Sequence, residues 1–185
     1  YSTLTGITDK IIVDLSNTIS ANVQVTVAGV AQGADTLINI ENVIGGAGND
    51  TFTGNNNNNI LTGGAGDDYF YVKDAAISGE NDVIIGGTGS DTVDFSQITN
   101  PNYFVDVDLS LQKLLLKNSA NSNAIVRNDN VSEIENITGT NNKDTIKGDA
   151  SNNSINGAGG TDSIYGLAGD DIIQGGDNTD NATTS

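Results

Sequence analysis

Gly45-Gly46-Ala47-Gly48-Asn49-Asp50-Thr51-Phe52-Thr53 runs directly into Gly54-Asn55-Asn56-Asn57-Asn58-Asn59-Ile60-Leu61-Thr62, and that into Gly63-Gly64-Ala65-Gly66-Asp67-Asp68-Tyr69-Phe70-Tyr71. Each nonapeptide opens on Gly, carries Asp or Asn sixth and an apolar residue eighth. The first six residues are mostly Gly, Asn and Asp, which turn readily, and the last three suit a short strand. Turn-strand-turn-strand closes one coil in two units, so residues 18 apart, such as Asp50 and Asp68, are expected to stack. The fold this predicts is all-β: an elongated parallel β-roll, or β-solenoid, in which no coil buries its apolar share alone.

The pattern breaks after Tyr71, for an expected looped-out insertion of about five residues, and resumes as Ile77 to Ile85 and Gly86 to Asp94. It returns as Gly139 to Lys147, Gly148 to Asn156, Gly157 to Tyr165, Gly166 to Gln174 and a fading unit from Gly175. The eighth-position residues Phe52, Leu61, Phe70, Ile84, Val93, Ile146, Ile155, Ile164 and Ile173 are expected to share a thin core.

A longer period encloses the short one. Val13-Asp14-Leu15-Ser16 recurs as Val107-Asp108-Leu109-Ser110, and Ile40-Glu41-Asn42 as Ile134-Glu135-Asn136, both at an offset of 94 residues. Two tandem units follow: 1–96, with spacer strands over 1–35 and nonapeptides over 36–94, and 97–185, with spacer strands over 97–129 and nonapeptides over 130–183. Alternating runs such as Val23-Gln24-Val25-Thr26-Val27 and Val105-Asp106-Val107-Asp108-Leu109 read as longer strands of the same roll. Leu114-Leu115-Leu116 fits a buried strand or a short helix. Without the insertion, the last residues of the second unit align with Ser90 to Ser96 at an offset of 89, and Tyr1-Ser2 matches Phe95-Ser96. The chain is thus expected to begin and end in register with its own repeat. Tyr1 is no initiator Met and no leader pattern precedes the repeats, so a processed or excised piece is expected.

Composition narrows the chemistry. With 24 Asp plus Glu against 7 Lys plus Arg, a net charge of −17, the chain is expected to bind neither nucleic acid nor an anionic membrane. No long apolar run predicts membrane insertion. His, Cys and Met are all absent, which removes disulfides, soft metal sites, thiol nucleophiles and imidazole bases. With 36% apolar residues, the chain borders on disordered composition, so something beyond its core must stabilise it.

Stacked coils place sixth-position carboxylates roughly 5 Å apart, where two anions repel unless a cation intervenes. Calcium suits that gap: it takes six to eight oxygens at about 2.3–2.6 Å in loose geometry, and glycine turns expose carbonyls. At this point the sequence resembles the repeats-in-toxin (RTX) family of GGxGxDxUx nonapeptides, best at Gly45 to Thr53, Gly63 to Tyr71 and Gly86 to Asp94.

The resemblance implies a calcium-bound parallel β-roll with ions in the turns, held by sixth-position aspartates and turn backbone. The implied metal-binding residues are Gly45, Gly46, Gly48, Asp50, Gly63, Gly64, Gly66, Asp68, Asp82, Gly86, Gly87, Gly89 and Asp91 in the first unit. In the second they are Gly139, Asp144, Gly157, Gly159, Asp162, Gly166, Gly169, Asp171, Gly175 and Asp180. Asp50 with Asp68, Asp68 with Asp91, Asp144 with Asp162 and Asp162 with Asp180 are the implied pairs, expected on one edge of the roll. The other edge, with Glu41, Asn59, Asp82, Glu135, Asn153 and Asp171 sixth, is expected to be partly vacant. The Asn55 to Asn59 run is expected to form an amide ladder. Asp14 and Asp108, repeat equivalents of each other, read as a solvated strand face rather than a catalytic pair.

Three functional classes are open. The leading expectation is a secreted, calcium-folded structural module of a surface exoprotein: an adhesin, surface-layer protein or fibre, with copies docking head to tail. The alternative is a non-catalytic accessory or secretion module of a secreted enzyme or toxin. An enzyme in its own right is not expected, since no HExxH, GxSxG or His base occurs. The resemblance also implies exit from the cell, unfolded, by one-step (type I) secretion.

Overall fold

The computed structural model describes residues 10–15, 21–27, 30–37, 40–73, 80–176 and 181–183. Its strands are β1 (Lys10–Asp14), β2 (Ala21–Val27), β3 (Val30–Leu37), β4 (Asn42–Gly46), β5 (Thr51–Thr53), β6 (Ile60–Ala65), β7 (Tyr69–Tyr71), β8 (Val83–Thr88) and β9 (Thr92–Asp94). They continue as β10 (Tyr103–Asp108), β11 (Lys113–Asn118), β12 (Ala124–Ser132), β13 (Asn136–Thr138), β14 (Thr145–Lys147), β15 (Ser154–Asn156), β16 (Ser163–Tyr165), β17 (Ile172–Gln174) and β18 (Asn181–Thr183).

Two nine-stranded sheets face each other: β17-β15-β13-β9-β7-β5-β1-β2-β3 and β18-β16-β14-β10-β11-β12-β8-β6-β4. Nonapeptide strands alternate between them along the chain and pair in parallel with the strand one coil away, Phe52 opposite Phe70 and Phe70 opposite Val93. At about 4.8 Å per strand the stack is roughly 40 Å long. The fold is therefore the expected all-β, mostly parallel roll.

Eight of the nine eighth-position residues are buried, and Ile173 packs against them. The Phe52 and Phe70 rings stack at 5.2 Å, an aromatic ladder running along the axis.

The spacers depart from the parallel pattern. β1-β2-β3 forms an antiparallel meander in the first sheet and β10-β11-β12 one in the second. Their links are too short for a parallel crossover, which needs a dozen residues or more. In the second meander they are single 3-10 turns, Leu109–Leu111 and Ser119–Asn121, closed by Gln112 and Ser122 in left-handed conformations. Leu114-Leu115-Leu116 lies within β11 and is buried, so the strand alternative holds.

Repeat equivalents sit in opposite sheets. β1 belongs to the first sheet and its counterpart β10 to the second; β5 and β14, or β7 and β16, are likewise exchanged. From β1 to β9 the chain visits the sheets seven times, counting the meander once. An odd number of visits delivers the next meander to the other sheet, so the second half repeats the first after a half-turn about the axis. The sheets run unbroken past residue 96, with β12 parallel to β8 and β13 parallel to β9.

Candidate metal cradles on the edges of the roll

The turns that lead into first-sheet strands line one edge, and those that lead into second-sheet strands line the other. On the first edge the sixth-position side chains are Asp50, Asp68, Asp91, Glu135, Asn153 and Asp171. On the second, Asn59 and Asp82 are followed by Asp129 of the meander and then by Asp144 and Asp162. Three of the expected pairs, Asp50 with Asp68, Asp68 with Asp91 and Asp144 with Asp162, stack one coil apart, but they do not share a single edge. The half-turn carries Asp144 and Asp162 across the roll from Asp50, Asp68 and Asp91. Asp180 lies outside the described residues.

Each ladder is built the same way. One carboxylate oxygen accepts the backbone N–H of the sixth residue one coil earlier: Asp50 donates to Asp68 Oδ1 at 2.7 Å, Asp68 to Asp91 Oδ1 at 2.7 Å, and Asp91 to Glu135 Oε2 at 2.9 Å. On the second edge Asn59 donates to Asp82 Oδ1 and Asp82 to Asp129 Oδ1, both at 2.8 Å, and Asp144 donates to Asp162 Oδ1 at 2.9 Å. The meanders join in, with Ile11 N–H on Asp50 Oδ1 and its counterpart Val105 N–H on Asp144 Oδ1. The insertion lengthens the spacing from 18 to 23 residues between Asp68 and Asp91 without breaking the ladder.

The second oxygen turns inward, toward the opening glycine of its own turn. A Cβ on Gly63 would lie 2.0 Å from Asp68 Oδ2 and 2.6 Å from the Gly86 carbonyl oxygen. A Cβ on Gly45 would meet Asp50 Oδ2 and the Gly63 carbonyl oxygen, both at 2.2 Å. Gly139 and Gly157 repeat this with Asp144 and Asp162 and the carbonyls of Gly157 and Gly175. Glycine opens the nonapeptide because a carboxylate oxygen and the next coil's carbonyl converge where a side chain would be.

Several of these oxygens are buried with nothing to accept: Asp68 Oδ2, Asp91 Oδ2 and Asp171 Oδ2 make no hydrogen bond. Burial, together with repulsion from Asp50, Asp91 and Asp67, pushes the Asp68 carboxyl up to about 7. Burial, with repulsion from Glu135, Asp67 and Glu133, lifts Asp91 to about 6. Burial likewise takes Asp144 to about 7, against hydrogen bonds from Val105 and Thr140 that favour the anion. The second oxygens of Asp68, Asp91 and Asp171 therefore demand a proton or a cation, whereas Asp50 Oδ2 accepts the Gly46 N–H at 2.9 Å and Asp144 Oδ2 the Thr140 N–H at 2.6 Å.

Among the described residues no three acidic side chains converge as a metal cluster, so carbonyls must complete any ion's shell. Carboxylate-plus-carbonyl donor sets with no nitrogen or sulfur suit a hard, oxygen-seeking cation.

Other expectations resolve differently. In the Gly157 turn Gly159 stands third and Gly160, with φ +116°, fourth. The Asn55 to Asn59 run closes mainly on itself, Asn55 N–H donating to Asn59 Oδ1 and Asn59 Nδ2 to Asn55 Oδ1, and reaches the next coil through Asn58 Oδ1, which accepts the Asn81 N–H at 3.0 Å. Asp14, its side chain 45% exposed as a solvated strand face requires, lies 3.4 Å from Lys73 Nζ, and the less exposed Asp108 lies 3.5 Å from Lys147 Nζ. Most of the expected insertion falls on residues 74–79, outside the described residues.

One group went unnoticed in the sequence. Arg127, the chain's single arginine, is buried on β12 with Glu80, Asp82 and Asp129 around it. Arg127, Asp129 and Val131 all point inward by strand alternation, the one local signal that could have flagged it.

Fold and cradles together define a repeat solenoid whose coils bring carboxylate and carbonyl oxygens together in a set that suits a hard cation. The RTX calcium-binding nonapeptide repeat matches four stretches, residues 39–72, 78–96, 138–173 and 157–182, together just over half of the chain. The chain belongs to that family and is a calcium-binding repeat module. No curated protein matches it.

Proposed function

We propose that the chain is a secreted structural module that folds on calcium, with ions held between Asp50 and Asp68, Asp68 and Asp91, and Asp144 and Asp162, completed by the turn carbonyls. The observation that carries this is the set of buried carboxylate oxygens aimed at glycine cradles. There calcium supplies the positive charge the stacked carboxylates lack. The chain's residues supply the rest: backbone N–H groups fix one oxygen of each carboxylate, and glycine keeps the gap clear for the other. A thin core cannot by itself offset repulsion and chain entropy, so ion binding and folding are one event. Affinities of extracellular calcium modules, about 10⁻⁴–10⁻³ M, would leave the chain unfolded in cytosol and folded outside. Circular dichroism should show little strand in chelator and a cooperative gain in millimolar calcium; identical spectra in both would sink the reading.

We further propose that residues 1–96 and 97–185 are two units of a surface exoprotein whose copies dock head to tail. The junction between the halves supports this. There β12 lies parallel to β8 and β13 to β9, with Asn130 opposite Val83 and Asn136 opposite Thr92. Carried through the offsets, the same junction between copies pairs β3 with β17, Thr36 opposite Ile172, and β4 with β18, Asn42 opposite Asn181. Among the described strands these four end the sheets. Ile44 of β4 and Ile172 of β17 are 76% and 62% exposed, apolar surface that docking would cover. Light scattering in millimolar calcium should show growth, and Thr36→Cys with Ile172→Cys, in a chain without other cysteines, should cross-link copies. A persistent monomer at high protein and calcium concentration would refute docking.

A further inference from the structure

We infer that Arg127 occupies, from within the chain, the cation position between Asp82 and Asp129, so that this one step of the second edge is closed to calcium. The inference rests on the calcium reading of the other cradles.

The argument is a like-for-like comparison of two ladders. At Asp68 and Asp91, Oδ1 takes a backbone N–H from the preceding coil and Oδ2 is buried without a hydrogen bond. At Asp82 and Asp129, Oδ1 takes a backbone N–H in the same way. Here, however, the second oxygens face a cation: Arg127 Nη2 donates to Asp82 Oδ2 at 2.5 Å and lies 2.9 Å from Asp129 Oδ2, an oxygen that takes no hydrogen bond but is held in an ion pair. Glu80 Oε2 stands 4.0 Å from Nη1 on the far side. The guanidinium side chain is 5% exposed and bridges two coils, so a divalent ion entering the gap would face it at close range in a medium that screens poorly. Guanidinium suits the task because its fork reaches two carboxylates at once and does not lose its proton.

The arginine is an addition to this junction rather than part of the repeat. Through the offsets, Asp82 and Asp129 correspond to Asp171 and Asp35, and the acids are kept. Arg127 corresponds to Gly33 and Glu80 to Gly169. The cation is therefore built in only where the second meander joins the first set of nonapeptides. The step at Asp171, whose Oδ2 is buried and makes no hydrogen bond, is left to calcium.

Calcium stoichiometry of the full chain, measured by equilibrium dialysis, tests this. Asp68→Asn should lose at least one ion and Asp82→Asn none. Arg127→Lys should match the parent, whereas Arg127→Gln should gain one ion or require several-fold more calcium to fold. Loss of an ion in Asp82→Asn, or an unchanged stoichiometry and midpoint in Arg127→Gln, would overturn the inference. Each variant is read separately, so failure of one to fold leaves the other decisive. A crystal structure of the parent chain grown in calcium decides without substitution: ions beside Asp68 and Asp91 with guanidinium between Asp82 and Asp129 support it, and an ion bound by Asp82 refutes it. If the chain binds no calcium at all, the calcium reading falls and this inference with it; an ion at Asp82 removes this inference alone.

Discussion

Gly64 shows how tightly a single residue is constrained in this roll. It sits at φ +118°, and a Cβ there would lie 2.3 Å from the Gly46 carbonyl oxygen one coil away. Gly64→Ala should therefore cost about 2–4 kcal/mol, the left-handed penalty plus a backbone shift, read as a higher calcium midpoint for folding. The second-position residue of a later turn, Leu167, adopts φ +74° without that licence and is 37% exposed. Leu167→Gly should stabilise the calcium-bound roll by about 0.5–1 kcal/mol, relief of strain outweighing the added freedom of the unfolded chain. A thermal melt that falls instead would show that the leucine side chain contributes packing. Both positions were visible in the sequence as second places of nonapeptides. What the sequence hid at this scale was Arg127, because its acidic partners Glu80 and Asp82 lie more than forty residues away across a junction that only the coil stacking creates.

At the scale of the element, the nonapeptide is half a coil, and a deletion of nine residues is not half as disruptive as one of eighteen. Removing Gly54 to Thr62 puts the Asp50 and Asp68 turns on opposite edges and breaks their ladder. Removing Gly45 to Thr62 shortens the roll by one coil and keeps Asp68 under Asp91. The nine-residue deletion should shift the calcium midpoint, followed by circular dichroism, further than the eighteen-residue deletion does. Equal shifts would mean that the ladders contribute little. The period of nine made the strands and their inward eighth positions legible, from Phe52 to Ile164, because every coil repeats one local solution. The meanders were legible only as strands. Their antiparallel return depends on the short turns at Leu109–Leu111 and Ser119–Asn121, where Gln112 and Ser122 hold left-handed conformations that no glycine announced.

For the whole molecule, the buried carboxyls set a pH dependence with a definite sign. Asp68, Asp91 and Asp144 lie near 7, 6 and 7 in the roll, above the roughly 3.9 of an unfolded aspartate. Folding therefore takes up protons. The stabilisation this gives is complete below about pH 4 and is lost as pH rises through 6 to 7. In chelator, strand content should increase as pH falls from 7.5 toward 5, and the calcium needed to reach half-folding should be smaller at pH 5.5 than at pH 7.5, because protons on the same oxygens already favour the roll. Strand content that drops on acidification in chelator would contradict this. The edge on which each ladder lies could not be read from residue types, because it follows from a count of sheet visits that includes how each spacer folds.

That count has a consequence for what the surroundings meet. Tyr71 and Tyr165 are equivalent residues, each ninth in its nonapeptide and pointing outward, yet one stands on the first sheet and the other on the second. Every outward side chain kept by both halves is displayed in the same antipodal way. A roll so built has no top and bottom: laid on a surface by either broad face, it offers much the same pattern of contacts. In the proposed head-to-tail array, a partner that read one face would meet its motif again only at every second unit.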